Sequence, residues 1–250
     1  MHDVVPGKHP SARFFPHHAA GFRSNPFRAL TDAEWAALAI ISPEIEAVFR
    51  RPGPHLQFGG GLGAGKTTTL LGLMRLAQDD GRRVLYEYVP EGQSHFAADL
   101  ARCDLFLLDE AQRLSPSECV RLLRWCGGAL PSDAGTRPRL VCASHRDLAP
   151  QFAAHGLPLA TFSVDALALT RWRAMLDARI AAAALRGRPH ATLADDAVAL
   201  VAQTFGRNRR AAVSALYEVF QQVRAPEVID ATCLRALLAT GSDAPSSGTA

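Results

Sequence analysis

Lysine is nearly absent from this sequence, although arginine is abundant. Of the 27 basic residues only Lys8 and Lys66 are lysine, and the other 25 are arginine. The formal net charge of +3 is too small to argue for nucleic-acid binding by itself. Because alanine is abundant as well, the arginine excess indicates the codon bias of a GC-rich genome rather than a functional basic surface. Arginines therefore count as candidate site residues only where a motif places them.

Long apolar runs and paired cysteines are also missing. No stretch of about 18 apolar residues could form a membrane span, and the N-terminus lacks the basic and then apolar pattern of a signal peptide. The five cysteines are odd in number and include no C-x-x-C pair, so neither a disulfide framework nor a zinc site is supported. These absences predict a soluble, cytoplasmic protein without a membrane partner.

A glycine-rich loop is the strongest motif in the chain. Residues 60–67 match G-x-x-x-x-G-K-[ST], the phosphate-binding loop (P-loop), between a predicted strand at 55–58 and a predicted helix at 67–77. Glycines let backbone N–H groups curl around an anion, and the helix N-terminus adds positive potential. The alternative is a turn that binds nothing, which the flanking strand and helix disfavour.

The predicted nucleotide-binding residues are those of the loop and the residue that follows it. Lys66 would reach the β- and γ-phosphates of ATP, and the Thr67 hydroxyl would bind Mg²⁺. ATP and Mg²⁺ are therefore the predicted cofactors. The part of the predicted set that lies in and just after the loop is Gly60, Gly61, Leu62, Gly63, Ala64, Gly65, Lys66, Thr67 and Thr68.

A second motif supplies two carboxylates. Residues 104–110 form an apolar run that ends in Asp109 and Glu110, and such a run is typical of a parallel strand buried on both faces. Doubly wound sheets bind ligands beyond the carboxyl ends of their strands, where the P-loop would also lie. Asp109 would hold Mg²⁺ through a water, and Glu110 would take a proton from the water that attacks the γ-phosphate. An ordinary surface pair is the alternative.

Strands and helices are predicted to alternate until about residue 164, and only helices follow. This order predicts an α/β domain with a parallel sheet and then a small all-α domain. The predicted strands are 55–58, 83–89, 104–110, 139–144 and 160–164. The predicted helices around them are 67–77, 94–102 and 115–126, and the later ones are 167–185, a helix capped by 192–195 and running to Thr204, 207–224 and 226–239.

The predicted domain division has four parts. Residues 1–24 contain prolines and no periodicity, which predicts a flexible N-terminal arm. Residues 25–165 would form the α/β domain, and residues 166–240 the helical domain. The small, polar residues 241–250 are predicted to be a disordered tail.

With these motifs the sequence resembles the AAA+ ATPases, in particular the branch of origin-recognition, initiator and transposition-helper ATPases. The resemblance covers about residues 25–240. It is carried by the P-loop at 60–67, LLDEAQ at 107–112, Ser144 at the end of the next strand and GRNRRAA at 206–212. It implies a five-stranded parallel P-loop NTPase sheet flanked by helices, followed by a small all-α lid domain.

The resemblance also implies two sensor residues. Ser144 would be the polar sensor that positions the attacking water, with His145 as the alternative. Arg209 would be the lid arginine that contacts the γ-phosphate, with Arg210 as the alternative. A planar, permanent charge suits a phosphate whose transition-state charge is spread over three oxygens. Otherwise Ser144 simply ends a strand, and Arg209 is a solvated helix residue.

Two features depart from the family pattern. AAA+ proteins usually complete each site with an arginine from a neighbouring subunit, and Arg113, Arg137, Arg139 and Arg146 are equal candidates for that role. Origin and initiator proteins usually carry a helix-turn-helix domain after the lid, whereas about ten residues follow the lid here. That difference argues against autonomous sequence-specific DNA binding.

The predicted function is an AAA+-type ATPase that couples ATP binding and hydrolysis to assembly, as a homo-oligomer or with a partner protein. By resemblance, its setting is a DNA transaction such as transposition, replication or defence. A second hypothesis is a nucleotide-dependent scaffold with little turnover, against which Glu110 argues because a pure binder needs no base. A third is a P-loop kinase acting on a small molecule, which the helical domain and the carboxylate pair disfavour.

Overall fold

The computed structural model describes residues 16–128, 138–165 and 167–241. The chain divides into two compact units. We call them the sheet unit and the helical unit. The sheet unit comprises Leu30–Leu167 and Arg207–Arg210, and the helical unit comprises Met1–Ala29, Ala168–Gly206 and Ala211–Ala250.

A parallel sheet of five strands organises the sheet unit. The strands lie in the spatial order β2-β3-β4-β1-β5, and each neighbouring pair is parallel. Both the number of strands and their positions agree with the sequence prediction, which confirms the α/β fold class. The strands are β1 (His55–Gly59), β2 (Val84–Tyr88), β3 (Leu105–Asp109), β4 (Arg139–Ser144) and β5 (Leu159–Ser163).

The continuous apolar sequence of β3 reflects burial on both faces of the sheet. Successive side chains of a strand point to opposite faces. Leu105 and Leu107 accordingly pack in one core cluster, and Phe106 and Leu108 pack in the other. Helices cover both faces of an all-parallel sheet, so its central strands need apolar residues at every position. Cys142 of β4 is fully buried in the second cluster, where it is a small core residue.

Side-chain caps begin three of the helices in the sheet unit. Thr31 and Glu34 form a reciprocal capping box at α1. Ser42 and Ser115 cap α2 and α4, each of which has proline as its first residue. The sequence did not predict α5, which has only six residues. The helices described in this unit are α1 (Asp32–Leu38), α2 (Pro43–Arg50), α3 (Lys66–Asp79), α4 (Pro116–Cys126) and α5 (Ala149–Ala154).

The helix predicted at 94–102 is wrong for most of its length. Only Leu100–Arg102 is helical, as a 3-10 turn. The backbone N–H groups of Ala97 and Ala98 donate instead to the Glu87 carboxylate, at 2.6 and 2.8 Å. A side chain from the neighbouring strand thus takes the amides that a helix would have used.

Arg139 is a buried structural arginine of the sheet unit. Its guanidinium donates four hydrogen bonds of 2.6–3.0 Å to the carbonyls of Val48, Phe49, Arg51 and Pro54. The last carbonyls of a helix have no partner within it, and Arg139 supplies that partner at the end of α2. Burial lowers the pKa of this guanidinium to about 10. Because its guanidinium is buried and bonded within its own chain, Arg139 is not available to the site of a neighbouring subunit. The prediction that included Arg139 among the candidates for that role is wrong.

The helical unit contains four helices and two short strands among its described residues. No strand was predicted in this region, but Thr192–Leu193 (β6) and Val228–Ile229 (β7) form a short parallel pair. Thr192, predicted to help cap a helix, lies in β6, where its N–H donates to the Glu227 carbonyl at 3.0 Å. The elements are α6 (Leu169–Ala183), β6 (Thr192–Leu193), α7 (Asp195–Phe205), α8 (Arg209–Gln222, whose first two residues belong to the sheet unit), β7 (Val228–Ile229) and α9 (Ala231–Gly241).

Residues 18–28 pack within the helical unit. The rings of Phe22 and Phe27 lie 5.8 and 4.9 Å from the ring of Phe220. The Asn25 amide donates to the Tyr217 carbonyl at 2.9 Å. Each fully buried phenylalanine contributes about 1.5–3 kcal/mol, which is enough to hold a segment that has no periodic pattern of its own.

This packing differs from the predicted arm and domain boundary. The last part of the arm predicted at 1–24 is packed, and residues 25–29 group with the helical unit rather than with the sheet. Residues 1–15 of the predicted arm and 242–250 of the predicted tail lie outside the described residues. None of the helices described above is both long enough and apolar enough to cross a membrane.

Candidate active site

The P-loop links β1 to α3 in the conformation that its glycines permit. Gly63 and Gly65 have φ values of +74° and +89°, in the left-handed region that favours glycine. Gly65 is the N-cap of α3, and Lys66 is its first residue. Because the first N–H groups of a helix have no acceptor within it, the loop and α3 together present donors to an anion.

Residues 208–210 approach this loop closely, which gives a second reason for its glycines. A Cβ atom at Gly63 would press on the Asn208 side chain, and one at Gly65 would collide with the Arg209 guanidinium. The Arg209 backbone N–H donates to the Gly63 carbonyl at 3.1 Å. Residues 208–210, which belong to the sheet unit, therefore lie directly on the P-loop.

Lys66 is nearly buried, and its ammonium is held by the P-loop itself. Nζ donates to the carbonyls of Gly60 and Gly61 at 2.8 and 3.0 Å, and it lies 3.2 Å from Nε2 of His145. Burial lowers the pKa of Lys66, while nearby carboxylates, first Glu110, oppose that shift. Lys66 is thus held by its own loop beside the carboxylates at the strand ends. The remaining predicted nucleotide-binding residues, Leu62, Ala64 and Thr68, lie in the same loop and the first turn of α3.

The two predicted magnesium ligands are in direct contact. The Thr67 hydroxyl donates to Oδ2 of Asp109 at 2.6 Å, and the Tyr86 hydroxyl lies 3.4 Å from the same oxygen. Asp109 is 0 % exposed, and burial raises the pKa of its carboxyl, an effect that the bond from Thr67 opposes. A hydroxyl and a carboxylate side by side are oxygen ligands of the kind that Mg²⁺ prefers.

Glu110 has an unusual backbone conformation. It is the only non-glycine residue with a positive φ, +59°, in the described part of the chain. The left-handed region costs a residue with a Cβ atom about 1–2 kcal/mol. The carboxylate accepts a short hydrogen bond from the Gln112 side chain on Oε2, with Nη2 of Arg113 3.6 Å from that oxygen. Backbone strain is typical of functional sites, and this turn places the Glu110 carboxylate beside Gln112 and Arg113.

The end of β4 brings His145, rather than Ser144, to this group. Nε2 of His145 lies 3.2 Å from Lys66 Nζ and 3.7 Å from Oε1 of Glu110. The Ser144 hydroxyl instead donates to the Arg146 carbonyl at 2.7 Å and accepts from the Arg146 N–H at 3.0 Å. Ser144 thus closes a turn, and His145 is the residue that contacts Lys66. The choice of either residue as the sensor stays a prediction.

The strand order explains why these residues meet. β4 lies between β3 and β1, so the end of β4 separates the carboxylate pair from the P-loop. A side chain at that end can contact both neighbours at once, as His145 does. The carboxyl ends of parallel strands are the usual ligand-binding edge of such sheets.

Arg209 lies on the P-loop through its side chain as well as its backbone. Its guanidinium packs against Gly65 and donates to the Val164 carbonyl at the end of β5. Arg210 is exposed, although its charge contributes to lowering the pKa of Lys66. The geometry places Arg209 where a phosphate-contacting arginine would be needed, and its role in sensing stays a prediction.

Two further polar residues of this site escaped the sequence analysis. The Asp165 carboxylate, just beyond β5, accepts the Gly61 N–H at 2.7 Å. Gln112 contacts both Glu110 and the backbone of His145. In the sequence, Asp165 could have been noticed because it follows a predicted strand. Gln112 belongs to the LLDEAQ motif, which carried no role for it.

The other candidate arginines differ in their surroundings. Arg113 lies in the site of its own chain, because its guanidinium donates hydrogen bonds to the Tyr88 hydroxyl and the Val89 carbonyl beside Glu110. Arg146 is exposed beyond the end of β4. Arg137 lies outside the described residues.

The residues present fit a magnesium nucleotide. A Cβ atom at Gly63 or Gly65 would collide with Asn208 or Arg209, so this close approach requires glycine. The first N–H groups of α3 have no acceptor within the helix and are available to an anion. Lys66 supplies the charge beside the P-loop, and Thr67 and Asp109 supply paired oxygen ligands. The donor set therefore suits a polyphosphate with a hard divalent cation.

Comparisons with known proteins support this arrangement at the level of fold. Neither a protein-family model nor a curated protein sequence matches the chain. Among solved structures, the RuvB Holliday junction branch migration motor of Thermotoga maritima matches with a TM-score of 0.56 and 18% identity, over 84% of this chain and 68% of that one. Domain III of the replication initiation protein DnaA from Thermotoga maritima matches with a TM-score of 0.57 and 16% identity, over 87% of this chain and 100% of that one.

The chain has the AAA+ α/β fold. In this AAA+ fold the five parallel strands and flanking helices position the P-loop and the Asp109–Glu110 pair at one edge of the sheet. At 16–18% identity the likeness extends to fold and not to the chemistry of individual residues. The chemistry rests on the contacts described above.

Proposed function

We propose that the protein is an ATPase that binds ATP with Mg²⁺ and couples the nucleotide state to assembly with itself or with a partner. The observation that carries this proposal is the contact of Thr67 with Asp109 at 2.6 Å, next to Lys66 and Glu110. Phosphoryl transfer to water requires a lysine that binds phosphate, a pair of metal ligands and a carboxylate that can act as a base.

Each residue has a distinct task in this proposal. The loop amides and Lys66 bind the phosphates, and Thr67 and Asp109 hold the cation. Mg²⁺ would neutralise phosphate charge and align the phosphate chain when bound. Glu110 accepts the proton of the attacking water.

His145 is the better candidate for the polar sensor. It lies between Lys66 and Glu110, whereas the hydroxyl of Ser144 is used by a backbone turn. With its Nε2 in reach of both groups, the imidazole can respond when Lys66 exchanges its present contacts for a phosphate. Arg209 is proposed as the lid arginine because its guanidinium already lies against Gly65.

The proposed setting is a DNA transaction such as transposition, replication or defence. Its support is that the matched structures are a branch migration motor and a domain of a replication initiation protein. The net charge of +3 adds no support for direct DNA binding. We also propose a homo-oligomer or a partner complex, in which Arg146 is the described candidate arginine with an exposed side chain.

Single-turnover release of phosphate from γ-labelled ATP tests the proposed function. With protein in excess and Mg²⁺ present, we expect labelled phosphate to appear without any added acceptor and to carry oxygen from labelled water. Release no greater than that of Lys66→Ala would refute the ATPase. In a parallel reaction that contains candidate small-molecule acceptors, transfer of the label to an acceptor, with none to water, would identify a kinase instead.

A further inference from the structure

We propose that Gln112 is a positioning residue that fixes the Glu110 carboxylate so that Oε1, and not Oε2, takes the proton. This inference rests on the proposed function and adds a residue to which no motif assigned a role. Gln112 lies on the 3-10 turn Ala111–Arg113 that follows β3.

Two hydrogen bonds fix the Gln112 amide. Its Oε1 accepts the backbone N–H of His145 at 3.2 Å, and its Nε2 donates to Oε2 of Glu110. A backbone N–H can only donate, and an ionised carboxylate can only accept, so the amide has one permissible orientation. The side chain thus joins the end of β4 to the end of β3, and its NH₂ group must face Glu110.

This contact makes the two oxygens of Glu110 inequivalent. Oε2 accepts the bond from Gln112 and faces Nη2 of Arg113 at 3.6 Å. No hydrogen bond among the described residues uses Oε1, whose neighbour is His145 Nε2 at 3.7 Å. Oε1 therefore keeps its lone pairs for a water, on the side of the carboxylate that faces His145 and, beyond it, Lys66.

The backbone of Glu110 explains why such a restraint is needed. A residue at φ +59° is held in a sparsely populated region, and Glu110 lies just after Asp109, the last residue of β3. Displacement of a reacting group by about 1 Å can cost roughly 100-fold in rate. A restraint on Glu110 should therefore affect turnover far more than nucleotide binding.

Two substitutions separate positioning from a purely structural link. Gln112→Met keeps the length of the side chain but removes both hydrogen bonds. Gln112→Glu keeps an oxygen that can accept from His145 but removes the donor to Glu110. We expect kcat to fall about 10- to 100-fold in both variants. The dissociation constant for Mg·ATP should stay within about threefold, and this measurement also reports any general effect of the added charge.

The amide of His145 provides a readout that does not depend on turnover. Its hydrogen exchange should accelerate in Gln112→Met, which removes the acceptor of this N–H, but not in Gln112→Glu, which keeps one. The matched control is Gln151→Glu, a change of the same type at an exposed position of α5, which should leave turnover and the His145 amide unchanged.

The outcomes distinguish this inference from the proposed function. If kcat is normal in Gln112→Glu but falls in Gln112→Met, Gln112 has only a structural role. If either variant turns over faster than the wild type, the Gln112 contact inhibits hydrolysis instead of supporting it. An unchanged His145 amide in Gln112→Met would remove the contact itself. Each of these overturns the inference while the ATPase stands, whereas absence of turnover in the wild-type protein overturns the proposed function.

Discussion

Thr67 and Asp109 are joined by a hydrogen bond of 2.6 Å, although 42 positions separate them in the sequence. The first lies at the start of α3 and the second at the end of β3, so the bond joins the P-loop to the acidic strand end. Asp109 is wholly removed from solvent, and a carboxylate in that position needs polar partners or a cation. This contact is the basis of the magnesium site that we propose.

Asp109→Asn should stabilise the nucleotide-free protein while removing the magnesium dependence of ATP binding. Burial raises the pKa of the Asp109 carboxyl. The resulting stability is present below the unfolded pKa and is lost as the pH rises through the folded value, so the ionised group opposes folding at pH 7. Thermal unfolding at pH 7 should show a higher Tm for the variant, and the difference should narrow near pH 4. A lower Tm at pH 7 would contradict this account of Asp109.

Lys66→Ala should weaken ATP binding by roughly 10- to 100-fold, because charge-assisted hydrogen bonds contribute about 1.5–3 kcal/mol. Isothermal titration with Mg·ATP measures the effect. Arg75→Ala, at an exposed position of the same helix, is the matched control and should bind normally. Equal affinities of wild type and Lys66→Ala would exclude this loop as the phosphate site.

His145→Ala should lower kcat about tenfold or more, because Nε2 of His145 lies 3.2 Å from Lys66 Nζ and 3.7 Å from Oε1 of Glu110. Ser144→Ala should lower the free energy of unfolding by about 1 kcal/mol through its lost turn, with little change in kcat. Steady-state kinetics and denaturant unfolding compare the two. The reverse pattern would restore Ser144 as the sensor.

Arg209→Ala should slow turnover about 10- to 100-fold at saturating ATP, because its guanidinium lies on the P-loop at Gly65. Arg210→Ala is the natural control, since that side chain is exposed. The kcat values of the two variants decide between them. A loss confined to Arg210→Ala would assign the lid arginine to the neighbour.

The sequence predicted those parts of the site that are encoded locally. The P-loop and the apolar run ending in Asp109 carry their own signals, namely glycine spacing and an unbroken buried strand. Both were found in the expected elements. The choice between Ser144 and His145 could not be predicted, because it depends on which side chain leaves the end of β4 toward its two neighbouring strands.

Tertiary contacts account for the predictions that failed. Arg139 looks like an ordinary first residue of a strand, and only the fold brings four backbone carbonyls to its guanidinium. Phe22 lies in a segment without periodicity, and its burial depends on partners about 160 to 200 positions away. Glu87 likewise captures amides of the expected helix at 94–102.

Glu110→Gln is the decisive variant, because it keeps the shape of the side chain and removes the proposed base. Binding of Mg·ATP and the rate of phosphate release are measured on the same preparation, with Glu218→Gln as a control at an exposed position of α8. Removing a general base costs about 100- to 10,000-fold in rate, so we expect Glu110→Gln to bind Mg·ATP with undiminished affinity and to leave it unhydrolysed. Turnover at the wild-type rate in Glu110→Gln would contradict the proposed role of Glu110 as the base.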